Sequence, residues 1–97
     1  MTTRTALVTC CDRYMGKAIK EKFEELDINV IAGPSLMHSE QEVNELVANA
    51  GDIDILVANL AEPPMTGPVQ SIDNENWNLL FDSLVHPLMY LVRAVTP

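Results

Sequence analysis

Basic residues are scarce. Only 6 Lys and Arg stand against 14 Asp and Glu in 97 residues, a formal net charge of −8. Nucleic acids and anionic membranes are bound through clustered Lys and Arg, so this balance argues against both as partners. Long apolar runs are missing as well. The charge-free stretch Ile28 to Ser39 is among the longest, and it contains Gly33 and Pro34. A membrane span needs about 20 apolar residues, so none is expected. No basic segment leads into an apolar one near Met1, so no secretory leader is expected, and no Asn-x-Ser/Thr site occurs. Cysteine is limited to the adjacent pair Cys10 and Cys11. Neighbouring residues do not readily meet disulfide geometry, and two thiols without a nearby His or second pair make a poor zinc site. Two free thiols in a reducing cytoplasm are the expectation.

What is present is a globular balance: 47% hydrophobic and 21% charged residues. The length allows one domain, taken as residues 1–97. A chain of this size buries only about 60–65% of its unfolded surface, so its core is limited and a partner surface would help.

Thr5-Ala6-Leu7-Val8-Thr9-Cys10 is uniformly apolar and β-branched, as in a strand covered on both faces. From Tyr14 to Leu26 the period changes, with Met15, Ile19, Phe23 and Leu26 forming one helical stripe. The charges between them read as a solvated face with pairs such as Lys17–Glu21. Ile28 to Ala32 is a second strand, closed by Gly33-Pro34. Ser39-Glu40-Gln41-Glu42 is a capping box opening a helix with Val43, Leu46, Val47 and Ala50 on one face and Gly51 as its αL stop. Ile53 to Ala58 is a third buried strand.

Asn59 to Ser71 is a loop broken by Pro63, Pro64, Gly67 and Pro68, and Asp73 caps the last helix. That helix carries Trp77, Leu80, Phe81, Leu84, Leu88, Leu91 and Val95, with Trp77 expected in the core. Pro87 inside it removes one hydrogen bond and presses on the Ser83 carbonyl, which predicts a kink. Val85, Met89 and Val92 widen the apolar band, so this helix asks to be covered on more than one side. The β-α-β-α-β-α alternation predicts an α/β, partial Rossmann-like three-layer fold with three parallel strands. Ligands of such sheets sit at the carboxyl ends of the strands.

The first strand-to-helix turn runs Thr9-Cys10-Cys11-Asp12-Arg13-Tyr14-Met15-Gly16. A dinucleotide fold needs glycines here so that pyrophosphate can approach the backbone. Only Gly16 is present, with Cys10 and Tyr14 at the other two places. The second strand ends Ala32-Gly33-Pro34, without the acid that reads the adenosine ribose. Both observations predict no nucleotide cofactor.

These residues carry a resemblance. Val8-Thr9 with Gly16, then Asp54-Ile55-Leu56-Val57-Ala58-Asn59, then the long helix from Trp77 to Arg93-Ala94-Val95-Thr96-Pro97, resemble the N-terminal half of a short-chain dehydrogenase/reductase. Thr9-x4-Tyr14-x-Gly16 and Val85-His86-Pro87-Leu88 are similar to the halohydrin dehalogenase branch. Pro87 then stands where many dehydrogenases have glycine, and Leu84 where they have a catalytic-relay Asn. Ala58-Asn59-Leu60-Ala61 stands where they read Asn-Asn-Ala-Gly.

The resemblance implies a parent enzyme in which a tyrosine deprotonates a substrate hydroxyl, a serine orients it and an arginine lowers the tyrosine pKa. The alkoxide then displaces a neighbouring halide. Those three residues belong to the second half of the fold, beyond residue 97, so this chain alone is expected to be inactive. Its catalytic set is therefore none, and its cofactor loop, Thr9, Tyr14 and Gly16, is degenerate. Tyr14, Asn59 and Leu60 are candidates for the wall of a substrate or halide pocket. The alternative for Tyr14 is a plain packing residue, and for Asn59 a structural hydrogen-bonder. His38, His86 and the methionines lack a ligand constellation and read as structural. An NAD(P)-dependent short-chain oxidoreductase and a non-catalytic oligomerising module are the alternatives. Self-association through the helix from Trp77 to Val95 is expected, with a small-molecule substrate only in a full-length parent.

Overall fold

The structure is a computed structural model that describes residues 3–34, 39–60 and 67–97. Three strands, β1 (Thr5–Val8), β2 (Asn29–Ala32) and β3 (Ile55–Val57), form one parallel sheet in the order β2-β1-β3. Thr5 stands opposite Asn29, and Ala6 opposite Ile55. The central strand is therefore the uniformly apolar one, and Ala6, Leu7 and Val8 are fully buried. The α/β fold with three parallel strands agrees with the sequence reading.

Helix α1 (Gly16–Glu25) joins β1 to β2, and α2 (Glu40–Ala50) joins β2 to β3. The chain steps from β1 to one neighbour and then back across it to the other. Right-handed crossovers send such connections to opposite faces. Leu7 meets Val43 of α2 and Leu91 of the last helix in the main core, with Leu46, Val47, Ile53 and Leu56 around them. Ala6 and Val8 alternate to the other face of the strand.

Helix α2 starts as its box predicts: the Ser39 hydroxyl accepts from the Glu42 amide at 3.2 Å. It stops at Gly51, whose φ of 79° requires glycine, although ψ of −142° lies outside the αL region expected. On α1 only half of the stripe is covered. Ile19 and Phe23 are half-buried, but Met15 and Leu26 are exposed. They sit at the two caps, and a four-residue strand of about 13 Å is too short to reach beneath both.

The last helical segment comprises α3 (Asn74–Leu80), a π-helical turn (Phe81–Val85) and α4 (His86–Val95). Asp73 caps it, its carboxylate accepting from the Asn76 amide at 2.7 Å. The kink expected at Pro87 is resolved one turn earlier. The His86 amide donates to the Phe81 carbonyl, five residues back. Widening the turn makes room for the proline ring, whose missing N–H leaves the Ser83 carbonyl without its usual donor. Trp77 corrects the reading of a core residue: it is 53% exposed, because α3 lies beyond the three-stranded sheet and, apart from Leu80, carries only exposed residues.

Candidate functional site

The carboxyl ends of β1, β2 and β3 meet around the turn from Thr9 to Gly16. Thr9 is fully buried. Its amide donates to the Val57 carbonyl at 3.1 Å and its hydroxyl to the Asn59 carbonyl at 2.9 Å. Asn59 returns the link: its Nδ2 donates to the carbonyls of Cys10 at 3.1 Å and Arg13 at 3.2 Å. The end of β3 and the turn after β1 are thereby clamped together.

On the other side, the Gly33 amide donates to the Val8 carbonyl at 2.8 Å, and the Cys10 amide to the Pro34 carbonyl at 3.1 Å. A Cβ on Gly33 would lie 3.0 Å from the Thr9 Cα. The end of β2 is thus drawn against β1 at the place where a ribose-reading acid would stand. Sequence reasoning took Gly33 only as a stop signal. Its second duty, close approach, becomes visible only once β1 is known to be its neighbour.

The turn itself has an unusual backbone. Cys10 and Tyr14 have φ of 53° and 52°, the left-handed region that glycine occupies at no steric cost. These are the two positions at which the nucleotide motif would place glycine. At Gly16 a Cβ would come within 2.2 Å of the Cys10 carbonyl oxygen, 2.8 Å of the Cys11 Cα and 3.0 Å of the Asn59 Nδ2. The glycine-loop backbone is retained while two of its three glycines are replaced. No periodicity signals this, because φ is set by tertiary contacts with Asn59 and Gly33.

Of the candidate pocket residues, Tyr14 is 68% exposed at the outer bend of the turn. Asn59 commits its side-chain N–H groups to the turn. Leu60 packs against the main core. Both cysteines are free. Cys10 is buried, and the Cys11 thiol donates to the Val8 carbonyl at 3.0 Å. Burial pushes the Cys11 pKa up, outweighing a backbone hydrogen bond from Gly33 and the charge of Lys20, which pull it down. At neutral pH it is a thiol, a weak nucleophile. No group of three metal-ligating side chains occurs among the described residues. His86 bonds Asp82 at 2.9 Å instead. His38, Met65 and most of the loop between β3 and α3 lie outside the described residues.

No protein-family profile matches the chain, and no curated protein matches it by sequence. Solved structures do match. A small-chain dehydrogenase superposes with a TM-score of 0.88 at 13% identity, over 97% of this chain and 47% of that one. L-sorbose reductase from Gluconobacter frateurii, complexed with NADPH and L-sorbose, gives 0.79 at 18%, over 97% and 46%. Serine dehydrogenase from Escherichia coli gives 0.74 at 22%, over 94% and 54%. The fold is that of the short-chain dehydrogenases/reductases. The chain spans about half the length of these neighbours. No helix among the described residues is long and apolar enough to cross a membrane.

Proposed function

We propose that the chain forms the N-terminal, nucleotide-loop half of a cytoplasmic short-chain dehydrogenase/reductase-type enzyme of the halohydrin dehalogenase kind, with the reacting Ser, Tyr and Arg outside residues 1–97. One observation carries this reading: Cys10 and Tyr14 hold left-handed backbone where the nucleotide motif has glycine. A pyrophosphate gains its affinity by close approach to bare backbone at a helix N-terminus. Here a phenol ring and a buried thiol stand at those positions, and Asp12 adds negative charge. The half-site's task is then to shape one wall of a small cavity that takes a neutral organic substrate and the departing halide. Asn59 and Thr9 hold that wall in place from within.

The chemistry needs a positioned base with a tuned pKa to take the hydroxyl proton. The Cys11 titration moves away from the thiolate and does not supply that base. The chain by itself should therefore release no halide from a vicinal halohydrin. An NAD(P)-dependent oxidoreductase is the second reading, and the retained loop backbone is what favours it. A non-catalytic oligomerising module is the third.

Calorimetric titration with NAD, NADP and NADPH separates the first two. No saturable heat is expected. Micromolar binding would put the oxidoreductase first.

A further inference from the structure

We propose that the outer edge of β2 takes up an extended basic segment of another protein as a fourth strand. The added strand runs antiparallel to β2 and ends on a Lys or Arg held by Glu24 and Asp27. This stands apart from the activity proposed above. β2 is the terminal strand of the order β2-β1-β3, with β1 on one side and no described strand on the other. Its ladder to β1 uses alternate residues. The Asn29 amide donates to the Arg4 carbonyl at 2.9 Å, and the Gly33 amide to the Val8 carbonyl at 2.8 Å. Successive residues of a strand turn their backbone groups to opposite sides. Val30 and Ala32 therefore direct N–H and C=O away from β1, as an added strand requires.

Natural sheets blunt such an edge with Lys, Pro or a bulge. The sequence Asn-Val-Ile-Ala contains neither residue, and its register against β1 runs unbroken from Asn29 to Ala32. Four residues are few for an edge, however, so backbone pairing alone is weak and the end of the segment must contribute.

Charge identifies the occupant. A groove of about 430 Å³ lies beside the start of β2, lined by Thr3, Glu24, Asp27, Ile28, Asn29 and Val30. It carries two carboxylates and no cation. Lys20 approaches Glu24 at 3.7 Å, but both are about half exposed, where such a pair is weak. Val30 belongs both to the groove and to the outward-facing edge, so a strand laid on that edge leads into the carboxylates. Antiparallel pairing is the more stable of the two per residue, and it places the C-terminal end of the segment beside the start of β2. The net charge of −8 attracts a cationic segment and repels a second copy of the chain.

The probe is a fluorescein-labelled, C-terminally amidated peptide of alternating Thr and Val that closes on Lys-Lys. Its fluorescence anisotropy at low salt should rise saturably with the intact chain. Glu24→Gln combined with Asp27→Asn should weaken binding about fivefold. Asn tolerates the left-handed φ of 61° at position 27, so circular dichroism should be unchanged. Val30→Pro removes an N–H that faces away from β1, which an edge strand tolerates, and should weaken binding by at least the same factor. If that variant unfolds, a peptide with Pro in place of its central Val decides the point and should bind at least fivefold more weakly. The absence of a saturable rise would overturn the proposal. So would equal binding of a peptide closing on Glu-Glu, or of one with Lys-Lys moved to its N-terminal end. Binding indifferent to both proline changes would assign the contact to the carboxylates alone and reject the added strand. A dimeric mass that Val30→Pro converts to a monomeric one would give the edge to a second copy instead.

Discussion

The turn at the carboxyl ends of the strands and the outer face of α4 are opposites. In the turn, three segments far apart in sequence are bound by reciprocal hydrogen bonds, and no buried side-chain nitrogen or oxygen among the described residues lacks a partner. On α4, Val85, Leu88, Met89 and Val92 are close to half exposed and line an apolar groove. The first region holds a strained backbone because its surroundings over-determine it. The second is relaxed locally and leaves apolar surface half exposed. The turn holds left-handed backbone at two residues that are not glycine, whereas a helix with ordinary dihedrals leaves an apolar face half exposed. Local regularity is thus a poor guide to how much apolar surface an element leaves exposed.

The contrast can be broken most severely at Gly16. Gly16→Ala places a methyl 2.2 Å from the Cys10 carbonyl, and neither backbone can yield without disturbing Asn59. A loss of about 3 kcal/mol or more is expected, read as a fall in the urea midpoint or as failure to fold. Asn59→Ala comes next. It removes one of two donors from the partly buried Cys10 carbonyl and from the exposed Arg13 carbonyl, worth about 1 kcal/mol by the same measurement, and Asn59→Asp should be no better because it cannot donate. Tyr14→Gly acts in the opposite direction. It relieves left-handed strain at an exposed residue and should raise stability by about 0.5 kcal/mol after the entropy of glycine is subtracted. On α4, by contrast, Leu88→Ser should leave the stability of the single chain within about 0.5 kcal/mol.

The smallest effect is a pH slope. The folded-state pKa of Cys11 is raised, so its contribution is fully present below the unfolded thiol pKa, 9.0, and is lost as pH rises through the folded value. Stability should decline above about pH 9, and Cys11→Ala should flatten that part of the curve. A slope that persists in the variant would assign it to other groups.

The strands and α2 were legible in the sequence because their signals are local: an unbroken apolar run for β1, and the Ser39 box for α2. Alternation and handedness implied parallel strands, but not the order that puts β1 in the centre. The departures come from places where one element outlasts its neighbour. Met15, Leu26 and Trp77 lie on helical stripes, yet the short strands leave them uncovered. At the site, the residue types at Cys10, Tyr14 and Gly16 marked the loop, but the clamp formed by Thr9 and Asn59 could not be read, since it depends on residues about 50 positions apart. The π turn was legible only as a kink; which turn would absorb the proline is decided by packing.

The order β2-β1-β3 also bears on how the chain folds. The β1–β3 ladder joins residues about twice as far apart in sequence as the β1–β2 ladder. Closing the longer loop costs only about 0.6 kcal/mol more, but it must be met before any β3 contact compensates. The β1-α1-β2 unit should therefore form in the rate-limiting step, with β3 docking afterwards and bringing Asn59 onto the turn last. Contacts made after the barrier govern how fast a protein comes apart rather than how fast it assembles. On this account the left-handed turn is a kinetic latch: Asn59→Ala should speed unfolding and leave the refolding rate nearly unchanged.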